Sequence, residues 1–288
     1  MESVTESGLL IRPATVEDLG GLTDISRLTW DGYDYLDRVA GDWITEGTLF
    51  AGFADGRLAA CARYTRFPGD VLWLEGLRVH PEFRGRGFGK AISEHVLSIC
   101  RDMLRRSEAA SIEFSTYALN AESRGLSEKQ GFTVAEWFHI LYREEMPACH
   151  CGIEPYEPTP ADFSIYPERV PCGWKHAHWR EEGFREWFQN TARAWRTESG
   201  ATFLTSLRDD EASPLASSLN DVDGFFQGLR ALASIRGRTG IDIFLHDTMK
   251  DLLAASREHG WGYWENPDSR NVPVYHYSGT PYTSSRQE

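Results

Sequence analysis

Apolar and polar positions in the first half of the chain follow two different periods. Short apolar runs that end at turn residues predict strands at 8–13, 48–54, 58–67, 71–79, 111–118 and 131–144. Apolar residues three or four positions apart predict helices at 15–28, 87–106 and 121–130, with a short one within 31–44. Asp55-Gly56 is a strong signal for a hairpin turn between two of these strands. The pattern indicates an α/β fold with mixed strand connections.

A proline-rich segment divides the sequence. Residues 147–173 hold six of the 13 prolines, a density typical of an extended linker. After it the pattern predicts helices at 180–195, 221–237 and 247–260, and strands at 201–207, 240–246, 261–266 and 272–279. We therefore predict a first domain at 1–146, a linker at 147–173 and a second α/β domain at 174–288. The similar order of elements suggests an internal duplication as a hypothesis, without sequence identity to support it.

Composition argues only against certain classes of protein. The chain is 41% hydrophobic and 25% charged, which is unlike disordered or low-complexity sequences. It shows no secretory leader and no apolar run long enough to span a membrane. Five cysteines without framework spacing favour reduced thiols. We expect a soluble cytoplasmic protein with no membrane partner, whose oligomeric state the sequence leaves open.

Charge is informative only locally. The formal charge of −13 is spread over both halves, which argues against a nucleic-acid partner. Residues 78–106 are the exception, because they hold seven basic side chains and only three acidic ones. This local cationic patch predicts a small anionic ligand.

The cationic patch coincides with a strand, a glycine-rich loop and a helix in direct succession. A helix N-terminus offers unpaired backbone N–H groups and a positive dipole end, where an anion can bind. The loop combines glycines, which permit close approach, with basic residues: Arg84, Gly85, Arg86, Gly87, Phe88, Gly89 and Lys90. The ligand inferred is a phosphate ester.

Two common phosphate-binding motifs do not match this loop. A P-loop needs Ser or Thr after its lysine, but Ala91 follows Lys90, and the dinucleotide fingerprint G-x-G-x-x-G is broken after Gly89. The loop does match R/Q-x-x-G-x-G/A, starting at Arg84. At these residues the chain resembles the GCN5-related N-acetyltransferase (GNAT) superfamily, and Asn120, Ser123 and the run E-K-Q-G-F at 128–132 extend the resemblance.

The resemblance covers about residues 8–145 and implies a fold, a co-substrate and contacts. The implied fold is a mixed, mostly antiparallel sheet flanked by helices, with the second domain interpreted as a degenerate half of the same type. The co-substrate is acetyl-CoA. Its pantetheine would pair with the backbone of Leu77, Arg78 and Val79, and its pyrophosphate would lie on residues 84–90. Asn120 and Ser123 match positions near the far end of the CoA arm, although both residue types also cap helices.

Acetyl transfer to an amine needs a proton acceptor and a proton donor. Glu75, on the strand before the loop, is the leading base, and the alternatives are an anchor for the substrate ammonium or a structural ion pair. The family's usual acid is a tyrosine, but Ser127 stands at that place. Ser127, Tyr117 or water could protonate the leaving thiolate, and the sequence does not choose among them. His80 is interpreted as a strand-end residue.

A closer resemblance lies in D-G-Y-D-Y-L at 31–36, with Trp43 downstream. Together with the loop it is similar to histidine N-acetyltransferases and their relatives. That likeness implies an acceptor pocket built by Tyr33, Asp34 and Tyr35, with Glu75 beside them. Aromatic walls with acidic residues suit a small cationic or zwitterionic amine. The alternative is that the aromatic rings are core.

Metal binding is disfavoured. Cys149 and Cys151 are spaced more tightly than zinc ligands usually are, and no second clean pair follows. No cysteine lies in the loop, which favours direct transfer over an acyl-enzyme. The sequence thus predicts an N-acetyltransferase that moves acetyl from acetyl-CoA to a small molecule, with an amino acid such as histidine as the leading acceptor. The alternatives are a protein N-terminal or lysine acetyltransferase and a non-catalytic acyl-CoA sensor.

Overall fold

A computed structural model describes residues 3–32, 34–263 and 270–278. Its contacts divide the chain into two compact units, which are described separately below. The first unit comprises Met1–Arg66 and Asp70–Glu113, and the second comprises Phe67–Gly69 and Phe114–Glu288. Among the described residues, no helix combines the length and apolar character needed to cross a membrane.

The first unit contains a sheet flanked by three helices. Its strands are β1 (Ser3–Val4), β2 (Leu10–Pro13), β3 (Leu49–Ala54), β4 (Arg57–Phe67), β5 (Val71–Val79) and β6 (Ser111–Ser115), the last residues of β4 and β6 falling in the second unit. Its helices are α1 (Leu19–Arg27), α2 (Leu36–Thr45) and α3 (Phe88–Arg105). Strands lie in sequence order, β1 to β4 pair antiparallel, and β5 pairs parallel with β6.

The core of this unit is formed in part by helix residues three or four positions apart. Helices α1 and α2 bury one face against β3 and β4 through a cluster that shares apolar character: Leu22, Ile25, Leu36, Ala40, Trp43, Leu49 and Cys61. Helix α3 buries Ile92, Val96 and Cys100, at the spacing that the sequence pattern predicts. The predicted helix at 87–106 is therefore confirmed.

Strand β5 separates from its parallel neighbour part-way along its length. Val71 to Trp73 are the β5 residues paired with β6, whereas β5 itself continues to Val79. Gly76 has φ +73°, and a Cβ there would lie 2.7 Å from the Trp43 ring. Only glycine fits this conformation and this space, so the second half of β5 is redirected at Gly76.

The second unit contains a larger sheet. Its strands are β7 (Phe132–Arg143), β8 (Ile153–Tyr156), β9 (Arg169–Cys172), β10 (Lys175–His178), β11 (Ala192–Thr197), β12 (Thr202–Ser206), β13 (Glu211–Pro214), β14 (Ile241–His246) and β15 (Val272–Tyr277). Its helices are α4 (Ala121–Lys129), α5 (Phe184–Thr191), α6 (Val222–Arg236) and α7 (Lys250–Glu258). Seven strands follow the order β15-β7-β14-β13-β12-β11-β8, with β13 parallel to β14, and β9 pairs with β10.

Two sequence expectations about single elements differ from the structure here. The helix expected over 180–195 ends at Thr191, because the following residues pair with β12 and β8 as β11. The proline-rich segment 147–173 contains β8 and β9 rather than only extended chain. The strand expected at 261–266 lies mostly outside the described residues. Although β7 packs in the second unit, the domain boundaries at 146 and 173 stay a prediction.

The mixed α/β fold class is confirmed. Among the described residues the strand pairs of each unit are mostly antiparallel, a parallel pair is present in each unit, and helices flank the strands. Each parallel pair is joined through a helix, α3 in the first unit and α6 in the second, as parallel strands require.

Candidate active site

The glycine-rich loop turns sharply between β5 and α3. His80 ends the strand, and its Nδ1 accepts a hydrogen bond from the Glu82 amide (3.3 Å), which begins a 3-10 turn at Pro81–Phe83. Gly85 and Gly87 then adopt left-handed conformations with φ +75° and +79°. His80 therefore has the strand-end role that the sequence predicts.

The N-terminus of α3 is open. Gly87 is its N-cap residue and has no side chain to offer, and among the residues that the structure describes no side chain caps it. The first amides of a helix have no partner within the helix, so those of Phe88, Gly89 and Lys90 are available. Phe88 is itself 1% exposed, so its backbone rather than its ring can contact a ligand.

The three basic side chains of the loop are exposed. Arg86 forms an ion pair with Asp55 (2.9 Å), and its guanidinium lies over the rings of Phe83 and Phe88. Exposed ion pairs contribute little to stability. Arg84 and Lys90 are exposed on either side of it. The loop therefore presents positive charge beside the open helix end.

The end of β5 is half-buried and contains an internal ion pair. Arg78 donates two hydrogen bonds to Asp34 (3.0 and 3.1 Å) and stacks over Trp30 and Tyr35. Burial lowers the pKa of Arg78, but the hydrogen bond and charge of Asp34 outweigh it and raise the pKa overall. The Arg78 side chain is thus used within the protein, and its Nη1 also donates to the Leu77 carbonyl (2.9 Å). The contacts of Leu77, Arg78 and Val79 with a ligand through their backbone stay predictions.

The expected acceptor pocket is described only in part. Tyr33 lies outside the described residues. The side chain of Asp34 is fully buried against Arg78, so its carboxylate is already paired. Tyr35 packs edge-on against Trp43 at 6.0 Å, and burial raises its pKa to about 12, although the nearby charge of Arg78 lowers it. Tyr35 also packs against the core cluster of α1 and α2, as the alternative from the sequence holds. The roles of Asp34 and Tyr35 toward an acceptor stay predictions.

Glu75 is held by side chains of β4. Its Oε1 accepts a hydrogen bond from Thr65 Oγ1 (2.6 Å) and lies 3.4 Å from Arg63 Nε. The Glu75 side chain is 9% exposed. The ion pair named as an alternative is present, and it fixes the carboxylate in one place. A fixed carboxylate suits a base or an ammonium anchor equally.

Sequence reasoning missed Arg63. Its side chain is 1% exposed, it forms an ion pair with Glu46 (2.6 Å), and its guanidinium lies 4.5 Å from the Trp43 ring centre. The signal in the sequence was the period of two in a strand, because Cys61, Arg63 and Thr65 lie on the same face of β4. A charged residue at a buried strand position is a reason to look for a site.

The remaining predicted residues lie in the second unit. Asn120 caps α4, its Oδ1 accepting from the Ser123 amide (3.1 Å), so the capping alternative is observed. Ser127 is 7% exposed and donates its hydroxyl to the Ser123 carbonyl (2.8 Å). Tyr117 is half-buried and its carbonyl accepts from the Asn120 amide. Their roles toward CoA and as a proton donor stay predictions.

The cysteines are all free thiols. Cys61 and Cys100 are buried, and burial raises the pKa of each to about 12. Within the described ranges, no group of three or more His, Cys, Asp or Glu residues is placed to hold a metal ion.

Comparison with known proteins shows what the segment around the loop is similar to. Residues 22–132 match the acetyltransferase (GNAT) family, a segment that includes the open loop and α4. This segment is therefore similar to GNAT acetyltransferases. The chain is also similar to histidine N-acetyltransferases of Oreochromis niloticus and Scomber australasicus, each 27% identical over 107 residues, which is 36% of this chain and 31% of theirs. The match thus spans less than a third of those relatives.

Solved structures resemble the chain over nearly its whole length. A putative acetyltransferase from Thermoplasma acidophilum shares a TM-score of 0.62 at 18% identity, over 93% of this chain and 98% of its own. A tandem GNAT protein from the clavulanic acid biosynthesis pathway shares 0.59 at 12% identity, over 96% and 100%. Such low identity shows a shared fold alone.

Proposed function

We propose that this protein is an N-acetyltransferase that transfers acetyl from acetyl-CoA directly to the amino group of a small molecule, an amino acid such as histidine being the leading acceptor. The single observation that carries the proposal is the open N-terminus of α3 at Gly87, beside exposed Arg84, Arg86 and Lys90. Free amides and a positive dipole end are what a pyrophosphate requires. All five cysteines are free, so we place the protein in the cytoplasm.

The end of β5 supports the same ligand. Pairing with β6 stops at Trp73, and β5 continues past Gly76 to Val79. Strand backbone beyond the paired region can hydrogen-bond the amides of an extended ligand, as an added strand would. We assign this role to Leu77, Arg78 and Val79, and the pyrophosphate to residues 84–90.

Acetyl-CoA supplies the acetyl group as a reactive thioester. Glu75 accepts a proton from the acceptor amine, whose nitrogen forms the new bond to the acetyl carbon as the carbon–sulfur bond breaks. Thr65 and Arg63 hold the Glu75 carboxylate in place during this step. The thiolate takes a proton from Ser127, Tyr117 or water.

A substrate panel tests the proposal. Amino acids, polyamines and a peptide with a free N-terminus are each incubated with acetyl-CoA, and thiol release is followed. We expect turnover with amino acids. Turnover with the peptide alone would favour the protein acetyltransferase, and binding of acetyl-CoA without any turnover would favour the sensor.

A matched pair of glycine variants tests the binding site. Gly87 and Gly183 are both left-handed N-cap residues, with φ +79° and +82°. At both positions the space that a Cβ would take is open, with no atom of the described residues within 4 Å beyond the immediate chain neighbours. The strain added by alanine is therefore similar at both. Calorimetry should show weaker acetyl-CoA binding for Gly87→Ala and unchanged binding for Gly183→Ala. Equal effects, or no binding by the unaltered protein, would refute the assignment.

A further inference from the structure

We propose that Arg63 and Glu75 together recognise the zwitterion of a free α-amino acid, Arg63 receiving its carboxylate and Glu75 facing its amino group. The inference rests on the proposed function and names the substrate class of the same site. It also assigns Arg63, which no sequence motif marks, as a specificity residue.

The first support is an unsatisfied donor on Arg63. Its Nη2 donates to Glu46, and its Nε is 3.4 Å from Glu75. Its Nη1 is buried and has no hydrogen-bond partner anywhere in residues 3–32, 34–263 and 270–278. A buried cationic N–H without an acceptor is costly, so the guanidinium has capacity for one further anionic group.

The second support is the spacing of opposite charges. In an α-amino acid the amino nitrogen and the carboxylate carbon are two bonds apart, about 2.5 Å. Arg63 and Glu75 place a cation and an anion side by side, 3.4 Å apart, which matches that short span. A protein N-terminus has a neutral amide where the amino acid has its carboxylate, and a polyamine would bring a second cation toward Arg63. The pair therefore favours free amino acids over both.

The third support is Glu46, which occupies the guanidinium as a substrate carboxylate would. Glu46 follows the last residue of α2, where the helix dipole disfavours negative charge. Its side chain is 52% exposed, whereas Arg63, Glu75 and Trp43 are all buried or nearly so. Glu46 is therefore the side chain that can leave most easily. When the Glu46 side chain moves away, the substrate carboxylate takes its place, and the net charge next to Arg63 is unchanged.

The second unit provides a matched control. Arg169 is also buried between a half-exposed acid, Glu168 (2.9 Å, 61% exposed), and a buried one, Glu136 (3.0 Å, 9% exposed). Arg169 therefore has the same two kinds of acidic partner as Arg63, at a place outside the proposed site. Glu168→Gln thus repeats the chemical change of Glu46→Gln at an unrelated place.

The test compares ligands that differ only in the carboxylate. Binding of histidine, histidinamide and histamine is measured by calorimetry in the presence of CoA, with other amino acids and their amides as parallel pairs. We expect the unaltered protein to bind the acid at least ten times more tightly than its amide or amine. Glu46→Gln should increase that preference several-fold, Arg63→Lys should reduce it to less than about threefold, and Glu168→Gln should leave it unchanged.

Two outcomes overturn the inference. One is equal affinity for acid and amide in the unaltered protein, and the other is a preference that Glu46→Gln does not raise. Glu46 is half-exposed, so this variant remains informative if Arg63→Lys does not fold. Failure of the proposed function is a different result, namely no CoA binding and no thiol release with any amine.

Discussion

The two units contain the same strand–helix–strand arrangement, but the N-termini of the two helices are capped differently. In the first unit α3 joins the parallel strands β5 and β6, and in the second α6 joins the parallel strands β13 and β14. Helix α3 begins at Gly87, without a side-chain cap among the described residues. Helix α6 begins after Asp221, whose Oδ1 accepts from the Gly224 amide (3.0 Å). One helix end is left open to an anion, and a carboxylate of the protein closes the other.

The strands that lead into these helices differ as well. Val71 and Ser111 are register partners in the first unit, whereas Glu211 and Asp242 are partners in the second. The second arrangement places two acidic side chains where the first has Val71 and Ser111. The comparison teaches that topology alone does not make an anion site, because the capping residue and the local charge decide it.

The largest expected effect concerns which unit performs the chemistry. Glu75→Gln removes the proposed base, so kcat should fall roughly 100-fold or more while acetyl-CoA affinity is retained. Steady-state kinetics and calorimetry measure the two quantities. Glu136→Gln, which alters a buried acid paired with Arg169 in the second unit, should leave kcat near its original value. Unchanged turnover in Glu75→Gln would remove the base assignment.

A substitution that gives the N-terminus of α3 a carboxylate cap like that of α6 should reduce its capacity to bind an anion. Gly87→Asp would place a carboxylate where Asp221 stands in α6, and it should weaken acetyl-CoA binding about 30-fold, or roughly 2 kcal/mol. The converse change, Asp221→Gly, should not create a second CoA site. Calorimetric affinity and stoichiometry test both, and full affinity in Gly87→Asp would contradict the role of the open helix end.

The acidic pair of the second unit should make stability depend on pH. Burial, followed by the charges of Asp210 and Asp242, raises the pKa of Glu211 to about 8. Folded Glu211 therefore keeps a proton that the unfolded chain releases near its ordinary pKa of 4.5, so stability falls as pH rises from there through about 8.

Glu211→Gln should remove much of that dependence. Its melting temperature should exceed that of the unaltered protein by several degrees at pH 8.5 and differ little at pH 4.5. Thermal unfolding across this range is the measurement, with Glu154→Gln as a control at an exposed position. Parallel curves for the Glu211 variant and the unaltered protein would show that this acid is ionised in both states.

The smallest expected effect concerns thiols. Cys61 and Cys100 are buried, whereas Cys149 and Cys151 are half-buried in the second unit. Burial raises the pKa of Cys61 and Cys100 to about 12, and burial followed by the neighbouring Cys149 raises the pKa of Cys151 to about 11. Because accessibility distinguishes the two pairs, alkylation at pH 7.5 should modify the second pair first and leave turnover intact. Mass spectrometry should find no acetylated cysteine during turnover, and such a peptide would contradict direct transfer.

Local pattern predicted most of the first unit. The spacing of apolar residues placed α1 and α3, the Asp55-Gly56 turn placed the hairpin, and the glycines before α3 placed the open loop. Each of these depends on residues close in sequence. The helix expected over 180–195 was wrong after Thr191, because pairing of β11 with two distant strands outweighs the helical preference of Ala192 and its neighbours.

The sequence named candidate residues where a motif or a strand pattern marked them, but not the contacts between side chains of different elements. Glu75 was named from the strand pattern, whereas its contacts with Arg63 and Thr65, and the pairing of Arg63 with Glu46, were not predicted. Asp34 as an acceptor contact stays a prediction, and its ion pair with Arg78 is a contact that the sequence did not predict. Charge pairing across elements depends on distances that no local pattern contains.

The sequence by itself determined the family resemblance, the open glycine-rich loop and the sign of its charge, because backbone conformation and helix capping depend on neighbouring residues. Only the tertiary structure decided that Arg63 is buried with an unpaired donor beside Glu75, and that Asp221 closes the second helix end. Burial strengthens both effects, since a charge or an amide removed from water must find its partner within the fold.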